Sequence, residues 1–221
     1  MKQQSPAVTS EIADSIAIIR FNRPAERNPL SRTTLLELKI ILDQVSSNPS
    51  VEAIIFTGSE DVFLSGANIR ELVGLNAESA LAFSKLGQNI FQAIADAKQI
   101  TMAAINGYCM GGGLDLALSC DIRVASEAAV FSHPGARLGI ITGWGGTQRL
   151  PRVIGRAAAI EMILTARRVP AREALNLGLV TTVSDEPLQA ALSIARKQTE
   201  IATPSSKNEQ FPFGSLPSSG Q

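Results

Sequence analysis

The sequence predicts an α/β protein organised as one main domain. Three observations lead there. Short apolar runs rich in β-branched residues alternate with segments of helical apolar spacing along most of the chain. A chain of 221 residues with 45% apolar content can fill one large core. The stretch MAAINGYCMGGGLDLALSCD, residues 102–121, passes from a buried strand through three glycines into a buried helix, with Asp115 and Asp121 as its charges.

In chain order, Val8 to Phe21 reads as two short strands joined at Ala13-Asp14-Ser15. The loop FNRPAERNPLS follows, and its Arg23, Arg27 and neighbouring Arg32 form either a solvated cluster or a contact for a phosphate-bearing ligand. Ser31 is placed to cap a helix whose core face is Leu35, Leu38, Ile41, Leu42 and Val45, ended by Asn48-Pro49. Val51 to Thr57 is a buried strand. In FLSGANIREL, Gly66 and Ala67 sit between a strand and a short helix starting near Asn68. Residues 77–98 form an amphipathic helix with Leu81, Phe83, Leu86, Ile90, Phe91 and Ile94 toward the core.

Thr101 to Asn106 is a buried strand, and Leu114 to Ser119 opens a buried helix. Ile122 to Val130 supplies a strand pair around Ser126-Glu127. GWGGTQRLPRVIG is a glycine-rich loop ahead of a helix from about residue 157 to 165, and it lacks the spacing of a dinucleotide fingerprint. Pro170 opens a short helix that stops at Gly178, Val180 to Val183 is a last strand, and Leu188 to Ile201 a last helix. The closing ATPSSKNEQFPFGSLPSSGQ is rich in Ser, Pro and Gly without periodicity, and is expected to be disordered or loosely attached.

Composition narrows the partners. A formal net charge of zero argues against nucleic acid or a membrane surface as a partner. Cys109 and Cys120 are widely spaced in the apolar stretch and read as reduced core thiols of an intracellular protein. No signal peptide is expected from the first residues, and polar interruptions make the long apolar segment a core and not a membrane span. A soluble, cytoplasmic protein is the expectation.

The plan strand, small-residue turn, helix start occurs twice, at Gly66-Ala67 and at Gly111-Gly112-Gly113. Glycine lets the backbone turn sharply without covering its amides, and a helix start offers unpaired N–H groups with partial positive charge. Two such turns on neighbouring strands would aim two donors at one oxygen, which is what an oxyanion hole requires.

Together, FNRPAERNPLS, FLSGANIREL, AAINGYCMGGGLDLALSCDIRVAS, GWGGTQRLPRVIG and AREALNLGLV resemble the crotonase (enoyl-CoA hydratase/isomerase) superfamily, in order from about Ser10 to Asp185. The resemblance implies a ββα spiral core over residues 1–185, a residual C-terminal helix over 186–203 and a tail over 204–221, the usual C-terminal helical trimerisation region being shortened or missing. It implies homotrimers or dimers of trimers, weakened by that short end. The implied substrate is an acyl-CoA thioester of fatty acid metabolism, with coenzyme A as part of the substrate and no permanently bound cofactor or metal. The oxyanion donors map onto the amides of Ala67 and Gly112. Coenzyme A contacts map onto Arg23, Arg27, Ser65, Gly66, Asn68 and Ile69, with Gly111 and Gly135 beside the substrate.

Two departures from the hydratase pattern follow. Where such enzymes carry two glutamates, this chain has Asp115 and Gly135. Asp115 keeps a carboxylate drawn back by about 1.5 Å, and its place in the first helical turn is expected to favour the ionised form and weaken it as a base. His133, the one histidine of the chain, is a substitute proton carrier. On an extended segment it would share a face with Gly135. Arg137 reads as a salt link or a carboxylate contact, Trp144 as packing, and Asn68 and Glu71 as near the cavity. Hydration or isomerisation of an enoyl-CoA is the first expectation. An acyl-CoA decarboxylase or other lyase, and a non-catalytic acyl-CoA binder, are the alternatives.

Overall fold

The computed structural model describes residues 6–202, so the expectation for the tail over 204–221 lies outside the described residues. β1 (Val8–Ala13) and β2 (Ile16–Phe21) form the predicted hairpin, in register from Val8 opposite Phe21 to Ala13 opposite Ile16, with Asp14 left-handed at φ 56°. β3 (Pro29–Leu30) leads into α1 (Arg32–Ser46), whose cap is Ser31 accepting from the Thr34 amide. β4 (Ala53–Thr57), β5 (Val62–Leu64), β6 (Gly66–Ala67) and the short α2 (Ile69–Val73) follow. α3 (Ala77–Ala95) starts from a reciprocal Asn76–Ser79 cap. β7 (Ile100–Ile105), β8 (Tyr108–Met110) and the fully buried α4 (Gly112–Ser119) make the centre. Then come β9 (Ile122–Ala125), β10 (Val130–Ser132), α5 (Gly146–Ile154), α6 (Arg156–Thr165), β11 (Val169–Pro170), α7 (Ala171–Asn176), β12 (Thr182–Val183) and α8 (Pro187–Ala202).

Among the described residues the strands form a six-stranded sheet ordered β1-β2-β4-β7-β9-β12, a four-stranded sheet ordered β11-β10-β8-β5 and the pair β3-β6. The large sheet is parallel apart from the hairpin β1–β2. It is covered on both faces, which is why its central strands read as unbroken apolar runs. Alternation decides which residue goes where. Ile16, Ile18, Ala53, Ile55, Met102 and Ala104 pack toward α8. Ala17, Ile19, Ile54, Phe56, Ala103 and Ile105 point into the main core with α1, α3 and α4.

Three sequence expectations need correction. Ile122 to Val130 is no strand pair, because β9 lies beside β7 in one sheet and β10 beside β8 in the other. The chain crosses between sheets at Ser126, whose amide bonds Ile105 O and whose hydroxyl bonds Asn106 O. Residues 146–154 are helix and not loop; two glycines and Pro151 mask a helix that buries Leu150 and Ile154. Leu81 is 57% exposed, off the face that α3 turns inward through Phe83, Gly87, Ile90, Phe91 and Ile94.

Candidate active site

The parallel pair β5–β8 sets Leu64 beside Cys109, so the two chains leave that sheet close together. Each then turns through a glycine with positive φ, Gly66 at 95° and Gly111 at 51°. The approach is tight: a Cβ on Gly66 would lie 2.8 Å from Met110 O and 3.0 Å from Gly112 N. β6 pairs with β3, Ala67 opposite Leu30, and the Asn68 amide donates to Leu30 O at 3.4 Å. Successive amides of an extended strand point to opposite sides, so the Ala67 amide faces away from β3. The Gly112 amide is in the first position of α4, where no helical acceptor exists.

Beside these amides lies a cavity of about 350 Å³ between α2, α3, the start of α4 and residues 133–144. Ser65, Gly66, Ala67, Ile69, Gly111, Gly112, Asp115, His133 and Gly135 all line it. A hollow of about 640 Å³ beside α1 and α8 is larger, but its charged lining residues, Glu52 and Lys98, are exposed. In the smaller cavity, the titratable lining side chains among the described residues are Asp115 and His133, 1% and 3% exposed.

Their environment overturns the expectation of a weakened base. Asp115 accepts from the Thr142 hydroxyl through Oδ2. Oδ1 and both His133 ring nitrogens have no hydrogen bond among the described residues. His133 Nε2 stands 3.4 Å from Asp115 Oδ1, near enough for an ion pair but without hydrogen-bond geometry. Burial raises the Asp115 pKa from 3.8 to about 7, against the lowering pulls of Thr142, Trp144 and the Arg149 charge. Burial also drives His133 down from 6.5 to about 4. Desolvation of a nearly inaccessible carboxylate outweighs the helix-terminus field. At neutral pH the histidine is therefore neutral, and Asp115 populates both protonation states.

The segment around His133 is not extended. His133 precedes a 3-10 turn over Pro134–Leu138, so the same-face reasoning fails although both His133 and Gly135 reach the cavity. Pro134 presets the turn. A Cβ on Gly135 would lie 2.7 Å from Ile140 O, and the Ile140 amide donates to Gly135 O at 3.1 Å. Backbone occupies the space a side chain would need.

Trp144 both packs and lines the cavity. Its ring meets Phe83 and Phe91 edge-on, at 5.2 and 5.7 Å between centroids, and lies against the Cα atoms of Gly87 and Gly112. Asn68 is not in the cavity wall, since its side chain caps α2 through the Arg70 amide. Glu71 accepts from the Arg32 amide. Arg23 stands 3.8 Å from Glu26. Arg27 lies over the Tyr108 ring at 4.6 Å and pairs with Asp61 at 3.5 Å. With Ser65, Tyr108, Pro134, Arg137 and Arg168, Arg27 borders a hollow of about 290 Å³ that shares Ser65 and Pro134 with the main cavity.

Sequence reasoning missed three participants. Asn28 is buried, and its side chain bonds Val62 O, Phe63 O and the Arg23 amide, fixing the arginine loop. Thr142 holds Asp115. Gly146 leaves room for the pair, since a Cβ there would collide with Asp115 Oδ1 and lie 2.9 Å from His133 Cε1. A buried asparagine in a polar loop carries a faint sequence signal; the other two depend on a loop folding back over α4. The described residues hold no metal-binding group of His, Cys, Asp or Glu side chains and no helix long and apolar enough to cross a membrane. Cys109 and Cys120 are buried free thiols, both pushed up by burial.

Comparison with known proteins agrees with this architecture. The family described as Enoyl-CoA hydratase/isomerase matches residues 11–208. A crotonyl-CoA hydratase of Syntrophomonas wolfei is 42% identical over 174 residues, 78% of this chain and 67% of that protein. A short-chain-enoyl-CoA hydratase of Clostridium acetobutylicum is 38% identical over 193 residues, 86% of this chain and 74% of that protein. The enoyl-CoA hydratase structure from Bacillus anthracis superposes with a TM-score of 0.84 at 36% identity, covering 87% of this chain and 76% of that one. The ordered motifs are thus carried on the fold they imply, and the chain belongs to the enoyl-CoA hydratase/isomerase family of crotonase-superfamily enzymes.

Proposed function

We propose that this enzyme holds the oxygen of an acyl-CoA enolate between the amides of Ala67 and Gly112 and moves the proton with Asp115. The observation that carries the reading is Asp115 Oδ1: buried, without a hydrogen bond, in the wall of a cavity that also contains both amide-bearing turns. A thioester carbonyl bound at that point gains negative charge as the proton beside it leaves. Each preset donor is worth about 3 kcal/mol in such a dry site. The raised pKa makes Asp115 a stronger base than an ordinary carboxylate while leaving it able to give the proton back near neutrality.

A single carboxylate that takes a proton from one carbon and returns it to another performs double-bond isomerisation, which is the reaction this geometry supports best. Hydration is the second reading, supported by the activities named for the relatives and by His133 as a second proton partner of Asp115. Decarboxylation gains less support. A substrate carboxylate would stand beside Asp115, and no Lys or Arg lines the cavity among the described residues. The coenzyme end is read along Arg23, Arg27, Ser65, Asn68 and Ile69, with Gly66, Gly111 and Gly135 against the thioester. A trimer and a cytoplasmic location belong to the same reading and are checked by sedimentation and fractionation.

The test is a steady-state comparison of a 3-enoyl-CoA, crotonyl-CoA and a malonyl-type CoA. Turnover of the first two, with the 3-enoyl-CoA preferred, is expected. Acyl-CoA binding without turnover of any of the three would defeat the catalytic reading.

A further inference from the structure

We infer that Thr142 is a positioning residue whose hydroxyl holds Asp115 Oδ2 and thereby makes Oδ1 the oxygen that meets substrate. The inference rests on the proposed proton transfer and names a residue that nothing in the sequence motifs marked.

Asp115 has two oxygens with different surroundings. Oδ2 receives the Thr142 hydroxyl, whereas Oδ1 has no hydrogen bond, faces His133 Nε2 at 3.4 Å and has the bare Cα of Gly146 alongside. A hydroxyl that donates to Oδ2 leaves Oδ1 as the oxygen that can receive a proton. The donor is itself held. Gly143 O, the next carbonyl along, accepts from Ser84 Oγ at 3.2 Å and Gln88 Nε2 at 2.7 Å, both on α3. Trp144, one residue further, packs its ring against Phe83 and Phe91 of α3. Residues 142–144 thus form a brace between α3 and the short aspartate arm. Fixing a reacting oxygen this way matters because a displacement of about 1 Å can cost about a hundredfold in rate.

The titratable and charged groups that act on Asp115 are His133 ahead of the 3-10 turn, Arg149 on α5 and Cys109 on β8. His133 and Cys109 are held in their neutral forms by burial. The Thr142 hydrogen bond favours the ionised carboxylate, so its removal raises the pKa of Asp115 above about 7.

The experiment compares Thr142→Val, which loses the hydroxyl at similar volume, with Thr142→Ser, which keeps it. In the resting protein, the infrared band of the protonated Asp115 carboxyl is identified by its loss in Asp115→Asn and titrated with pH. In Thr142→Val its midpoint is expected to move up by about one unit. kcat is expected to fall roughly 10- to 100-fold with KM within about twofold, the acid limb of the pH profile shifting the same way. Thr142→Ser restores midpoint and kcat. An unchanged midpoint in Thr142→Val, or a serine variant that behaves like valine, overturns the inference. If valine prevents folding, Thr142→Ala against Thr142→Ser decides by the same two readouts. The infrared titration needs no turnover, so an enzyme inactive on every acyl-CoA tested would defeat the proposed function while the band still decides the role of Thr142.

Discussion

The two ends of α4 treat charge in opposite ways. Just past its C-terminus, Arg123 is buried yet hydrogen-bonded, donating to Ala117 O at 3.4 Å, Cys120 O at 2.6 Å and Leu179 O at 2.8 Å. Asp121 beside it accepts from the Thr101 amide and hydroxyl at 2.8 and 2.9 Å. A cation on the last helical carbonyls satisfies groups that the helix itself leaves open. At the N-terminal end, Asp115 Oδ1 and both His133 nitrogens are buried and make no hydrogen bond among the described residues. Buried polar groups are ordinarily satisfied because an unmade bond costs on the order of 1–3 kcal/mol. One end of the helix therefore stabilises the fold. The other leaves hydrogen-bonding capacity unused, which is what the proposed proton transfer requires.

The sharpest break of this contrast is Asp115→Asn. Asparagine retains an acceptor for the Thr142 hydroxyl but cannot take up and return a proton as a carboxylate does. Turnover is expected to fall roughly a thousandfold, with KM little changed, in steady-state assays. At the opposite end, Arg123→Met should lower unfolding free energy by about 2–4 kcal/mol in urea titrations, because carbonyls at three residues lose a charged donor. kcat per folded molecule should stay within about twofold. If Arg123→Met instead removed turnover without loss of stability, the division of labour along α4 would be wrong.

The pH dependence of stability sharpens the picture further. Asp115 titrates at about 7 folded and 3.8 unfolded, so by itself it makes stability fall as pH rises between those values. His133 titrates at about 4 folded and 6.5 unfolded, so by itself it makes stability rise with pH across that window. Between about 4 and 6.5 the pair binds one proton in each state, on the aspartate when folded and on the histidine when unfolded. Its net slope there is near zero. Urea unfolding should show a rising slope in Asp115→Asn and a falling slope in His133→Gln, with the parent flat between them apart from other groups. The smallest effect belongs to the exposed Arg172–Glu127 pair, where Arg172→Ala should change stability by no more than about 1 kcal/mol by thermal melting.

Much of the frame was legible because it is local. The Ser31 cap, the Asp14 hairpin turn, the β-branched runs and the two glycine turns each depend on residues a few positions apart, and each occurs where the sequence places it. The misreadings depend on distant partners. Leu81 has the right residue type, but the packing of α3 against α1 and α4 takes in Phe83, Ile90, Phe91 and Ile94, which the sequence also placed there, and leaves Leu81 outside. β9 and β10 are adjacent in sequence, yet their hydrogen-bonding neighbours, β7 and β8, lie in different sheets. The protonation of Asp115 was misjudged because helix position is readable from sequence, whereas desolvation is set by residues 133–146 closing over the carboxylate.

The bare Cα of Gly146 has an evolutionary consequence. Any side chain there would enter the space held open for Oδ1 and the His133 ring. In a library saturating this loop and selected for turnover, glycine should be the sole survivor at 146, even on backgrounds stabilised elsewhere. Drift toward new substrates would then proceed through Leu138, Ile140 and Ile141, whose exposed side chains at the cavity rim can change size without touching the proposed proton carrier.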